Sequence, residues 1–115
     1  DSTGPEIVSL SVSQATVSPG DTFTITAHVT DPAGVDTAGF WFTVDGVQND
    51  FCGQQLTLTS GTRTDGTWTN TCTVPSMTRL GSYTITPYAR DTLNNYTNTN
   101  GGRTDSTRAH FELVE

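Results

Sequence analysis

The sequence predicts an all-β fold, a sandwich of about seven antiparallel strands in two sheets, and three observations predict it. Twenty-four of the 115 residues are Thr and none is Lys, so β-branched side chains suited to a pleated, half-wet surface replace the Lys/Glu lacing of exposed helices. Charged residues make up only 15% of the chain against 32% hydrophobic, again unlike a helical surface. Short alternating apolar segments recur, separated by Gly, Pro, Asp and Asn turn chemistry. The length fits one domain spanning residues 1–115.

The first strand runs over 6–12. After the turn Ser18-Pro19-Gly20-Asp21 comes a regular second strand, with Phe23, Ile25, Ala27 and Val29 on one face and Thr22, Thr24, Thr26 and His28 on the other. Asp31-Pro32-Ala33-Gly34 ends it. The third strand covers 39–45, with Phe40, Phe42 and Val44 inward. The fourth carries Cys52, Gln54, Leu56 and Leu58 on one side, and the fifth, over 67–74, carries Trp68, Cys72 and Val74 before Pro75 stops it. Strand six spans 81–90 with Tyr83, Ile85 and Ala89 inward, and Ala109, Phe111 and Leu113 define the seventh. Residues 91–106 form a connection longer than a hairpin needs, which marks it as functional or mobile.

Cys52 and Cys72 are either a disulfide or two free thiols. A hairpin turning near Thr62 places residue 52 opposite residue 72, which favours a cross-strand disulfide and an oxidising compartment. The formal net charge of −7 argues against nucleic acid or an anionic membrane surface as partner, because both require a basic patch. No apolar run approaches the roughly 18 residues of a membrane span, so no membrane insertion is expected.

The order of segments resembles an immunoglobulin-like domain of the sort carried as an accessory module by secreted bacterial proteins. Val17-Ser18-Pro19-Gly20-Asp21 looks like that family's turn into the second strand, and Gly81-Ser82-Tyr83-Thr84-Ile85 like its tyrosine corner. Asp91-Thr92-Leu93-Asn94-Asn95 stands where many such domains place an Asp before Gly-Asn. Ile85 stands where an antibody domain has its second inter-sheet cysteine, so the Cys52–Cys72 link would instead join neighbouring strands within a sheet. The resemblance implies a non-catalytic structural or adhesive module of a larger secreted or cell-surface protein, in contact with neighbouring domains of its parent chain.

Two candidate sites follow from strand direction and parity. Asp1, the 31–36 turn, the Asp65 turn and the 91–106 loop converge at one pole, where Asp31, Asp91, Asn95 and Asp1 offer oxygen ligands for calcium, the one metal the residues suggest. The competing reading, favoured by the lack of any compact ligand motif, is that these residues serve turn chemistry alone. On the outer face of the sheet holding strands three, six and seven, Trp41, Tyr88, Arg90 and His110 form an aromatic and polar patch. Such a patch suits a polysaccharide or cell-surface glycan, which makes a carbohydrate-binding module the alternative function; it also suits simple cross-strand packing. His28 and His110 fall on the outer faces of opposite sheets, and the turn carboxylates lack an apolar cleft, so no catalytic site is expected.

Overall fold

The computed structural model describes residues 4–97 and 107–115, and it is built of strands. In chain order they are β1 (Glu6–Val12), β2 (Thr16–Val17), β3 (Thr22–Thr30), β4 (Val35–Val44), β5 (Val47–Gln48), β6 (Gln55–Gly61), β7 (Asp65–Thr73), β8 (Gly81–Asp91), β9 (Tyr96–Thr97) and β10 (Ala109–Leu113). The seven longer strands are those the alternation predicts, and β2, β5 and β9 are two-residue additions. One sheet runs β1-β3-β7-β6 and the other β4-β8-β10-β2, with β5 on β4 and β9 on β8. A two-residue ladder, Ala38 to Leu56 and Gly39 to Gln55, joins the two into one curled sheet.

The inward positions close over an aromatic centre. Phe23, Ile25, Ala27, Val29, Phe40, Phe42, Val44, Tyr83, Ile85, Ala89, Phe111 and Leu113 are all buried. Phe111 stacks on Tyr83 directly across the ladder, ring centroids 5.0 Å apart, and meets Phe23 at 5.0 Å and Phe42 at 5.4 Å. Tyr83 is a working tyrosine corner: Asn49 Nδ2 donates to its hydroxyl (3.0 Å), which donates in turn to the Arg79 carbonyl (2.5 Å). Burial pushes its phenol above the ordinary value, with the Asn49 bond opposing.

Three expectations are corrected. The strand expected over 39–45 begins at Val35, because a bulge between Val35 and Thr37 breaks the alternation before Ala38. It ends in a tight turn at Asp45 and Gly46, both with left-handed backbone (φ 53° and 77°), the geometry that turns β4 straight into β5. Cys52 lies in no strand. Residues 62–65 close the β6–β7 hairpin with mutual backbone bonds between Thr62 and Asp65, and a bulge at Leu58/Ser60 sets Leu58 opposite Trp68. That register leaves position 52 beyond the start of β6.

The disulfide forms nevertheless, Cα to Cα 5.7 Å. Residues 49–54 lie along β4, held by Asn49 N to Phe42 O (3.0 Å), Phe40 N to Gln54 O (3.0 Å) and Phe42 N to Asp50 Oδ1 (2.6 Å). Cys72 is in β7, opposite Phe23 of β3. The bridge therefore runs from the flank of one sheet to the other rather than between neighbouring strands of one sheet. Phe51, next to it, joins the aromatic centre at 4.8 Å from Phe42 and 5.7 Å from Tyr83.

Candidate functional site

The acidic pole is assembled from the ends of β3, β4, β7 and β8. Asp31 N donates to Thr64 O, Val35 N to Arg63 O and Thr92 N to Gly34 O, so three turns lock together there. Asp31 and Asp91 are 3% and 1% exposed. The Asp91 carboxylate accepts from the amides of Leu93 (2.9 Å) and Asn95 (2.8 Å) on one oxygen and from Asn95 Nδ2 (3.0 Å) on the other. Asp31 Oδ2 accepts from Ala33 N (2.9 Å). The structure thus brings Asp31, Asp91 and Asn95 to one pole, with the Asp31 and Asp91 carboxylates engaged by local turns and Asn95 serving as a donor to Asp91; Asp1 lies outside the described residues. Among the described residues no group of three or more His, Cys, Asp or Glu side chains is arranged to hold a metal.

The two carboxylates are pushed in opposite directions. Burial holds Asp31 above its ordinary 3.8, and the neighbouring Asp91 charge adds to this. Burial acts the same way on Asp91, but the hydrogen bonds from Asn95 and Leu93 outweigh it and hold that carboxyl below 3.8. Asp91, lowered on folding, contributes stability that is present above the ordinary carboxyl range and lost as pH falls through it. Asp31, raised on folding, favours the fold most at low pH and less as pH rises through its elevated value. Asp91→Asn is therefore expected to lose about 1–2 kcal/mol at pH 7, with the difference from the wild type narrowing as pH falls below 3.8, as measured by urea unfolding across that range. A constant difference would show that the Asp91 charge is not what the turn uses.

The second candidate site lies on the outer face of the β4–β8–β10 sheet. Alternation along β8 turns Thr84, Thr86, Tyr88 and Arg90 outward, and β4 contributes Trp41 opposite Thr86 and Gly39 opposite Tyr88. Tyr88 leans across the ladder onto Gly39, where a Cβ would meet the phenol end of its ring at 2.6 Å, so only glycine admits this placement. The Trp41 and Tyr88 rings are half-buried and near parallel, centroids 5.8 Å apart and planes 28° apart. Thr86, facing Trp41, is 7% exposed.

Arg90 continues the row. Its guanidinium donates to Asp36 and is hydrogen-bonded to Tyr96, its partner on β9; the Asp36 bond first, then Tyr96, raises its pKa. His110 stands apart from the ring pair, at the Thr84 row on β10, with Nδ1 3.3 Å from Thr84 Oγ1. The face thus gathers Trp41, Tyr88 and Arg90 and leaves His110 at its margin. Asp36 and Tyr96 were not visible as members from the sequence, because a bulge carries one and a two-residue strand in the long connection carries the other. His28, on the opposite outer face, pairs with Asp65, Nε2 to Oδ1 2.5 Å.

Two sheets over an aromatic core, antiparallel except where β2 pairs with β10 in parallel, and a tyrosine corner entering the sixth long strand define an immunoglobulin-like sandwich. The chain belongs to the bacterial Ig domain family, whose pattern residues 7–86 match. Curated protein sequences give no match. Among solved structures, the chain is similar over 98% of its length to the DNA-bound alkylpurine DNA glycosylase AlkC of Pseudomonas fluorescens, at 15% identity and a TM-score of 0.62, and it spans 31% of that chain. It is also similar to the PKD domain of an M14-like peptidase from a Thermoplasmatales archaeon (18% identity, 95% and 97% of the two chains, TM-score 0.46). A third similarity is to a CARDB domain from Pyrococcus furiosus (16% identity, 96% and 90%, TM-score 0.47). The first of these likenesses shows the fold. Among the described residues no helix is long and apolar enough to cross a membrane.

Proposed function

We propose that the domain is a non-catalytic spacer and stabiliser within a larger secreted or surface-attached bacterial protein. The observation that carries this reading is the path of the chain. β1 sets out from the acidic pole, where Glu6 pairs with Thr30, and β10 ends at the opposite pole, where Leu113 pairs with Gly81. Neighbours joined at the two ends are held apart along a body whose long axis is 45 Å. Val47, Met77, Leu80 and Val114, four of the six large apolar side chains exposed among the described residues, belong to turns and strand ends at the β10 pole, which suits a contact with an adjacent domain. The disulfide supports an oxidising compartment.

Exchange within the parent protein tests the reading. Deleting the domain is expected to impair the parent's activity or display at the cell surface, and an unrelated sandwich domain of equal end-to-end length is expected to restore it. Failure of that replacement, with the hybrid folded and exported, would overturn the spacer role.

A further inference from the structure

We propose that the outer face of the β4–β8–β10 sheet binds a neutral polysaccharide strand across the Trp41–Tyr88 ring pair, a function beyond spacing. Pyranose rings carry apolar C–H faces that stack on flat aromatic rings, while their hydroxyls take hydrogen bonds from fixed polar groups at the edge. The face supplies both. Gly39 lets Tyr88 lie across the sheet instead of standing off it, and the Trp41 ring stacks against it at 5.8 Å with planes 28° apart, giving one joint aromatic surface. At one end, Arg90 is oriented by the Asp36 carboxylate and the Tyr96 hydroxyl, a donor and acceptor set suited to vicinal hydroxyls.

The same face is less suited to a protein partner. None of the large apolar side chains exposed among the described residues, Val8, Val47, Met77, Leu80, Leu93 and Val114, belongs to its outward rows, so no aliphatic surface extends the ring pair to the area of a stable protein interface. Thr43 and Thr84 form the next outward row of the ladder and add hydroxyls to the face. A net charge of −7 disfavours acidic polysaccharides, and an open sheet face suits the middle of an extended chain rather than a sugar terminus.

The test measures retention of the domain on insoluble cellulose, soluble xylan and glucomannan, with polygalacturonate as the acidic control. Saturable binding to at least one neutral polymer is expected, weakened about tenfold or more in Trp41→Ala and largely restored in Trp41→Phe, with polygalacturonate not retained. A second readout needs no variant. Trp68 is 3% exposed and Trp41 half-buried, so acrylamide-quenchable emission comes from Trp41, and the bound polymer is expected to shield it. No saturable retention, stronger retention by polygalacturonate, or retention and quenching indifferent to Trp41 would overturn the proposal. So would Trp41 already shielded in the parent chain without polymer, since a neighbouring domain would then occupy the face. None of these outcomes bears on the spacer role, which the domain exchange tests separately.

Discussion

Phe111→Ala is expected to destabilise the domain by about 3–5 kcal/mol, the largest effect of any single side-chain truncation here, because the ring lies at the centre of the aromatic core. Phe111 is 1% exposed and packs on Tyr83, Phe23, Phe42 and Phe51, which come from β8, β3, β4 and the segment before β6. Those four elements belong to both sheets, so no single strand can shift to fill the cavity. Phe51→Ala is the control: that ring touches the same partners but is only half-buried, so less area is lost. Chemical denaturation of the three proteins should give Phe111→Ala well below Phe51→Ala, and Phe51→Ala below the wild type. A Phe111→Ala loss under about 1 kcal/mol would mean that the two sheets are not coupled through this cluster.

Reduction of Cys52–Cys72 is expected to lower stability by about 2–4 kcal/mol, since the bridge closes a loop with a sequence separation of 20 and its removal returns entropy to the unfolded chain. At this chain length the melting temperature should fall by roughly 10–15 °C. The geometry adds a local effect. The 49–54 segment is held to β4 by few backbone bonds and by the Asp50 carboxylate, which also accepts from Gln48 and Gln54 side chains. Freed from Cys72, this segment should show the first gain in amide exchange, ahead of β3 and β8. Unchanged melting in reductant would show that the unfolded chain is constrained by something other than the bridge.

Where the sequence alternates, it predicts the structure well. Thr and apolar residues swap faces along β3 without interruption and along β8 with Thr86 buried out of turn, and both strands and their inward sets appear as expected. It fails where the backbone departs from period two. The Val35/Thr37 bulge hid the start of β4, the Asp45-Gly46 turn hid β5, and a β6–β7 turn closed by Thr62 and Asp65, later than one centred on Thr62, moved the register that had placed Cys52 opposite Cys72. The pairing of the cysteines was therefore anticipated, and its structural context was not. Phe51 was missed because no periodicity marks a lone core residue in an irregular segment. The placement of Trp41, Tyr88 and Arg90 on one face needed only strand parity, whereas Gly39 beneath Tyr88 and Asp36 beside Arg90 depended on register and bulge, which parity cannot supply.

The bridge between the sheets also governs what happens when the two ends are pulled apart. Tension entering at β1 and leaving at β10 runs along the strands, so ladder bonds are loaded together in shear instead of opening one after another. Once the sheets part, the chain between Cys52 and Cys72 stays looped and out of the load path. Some 20 residues, roughly 70 Å of extended chain, are withheld from elongation. In an oxidising medium the domain is thus a tether of limited stretch, and its full length becomes available only when the thiols are released.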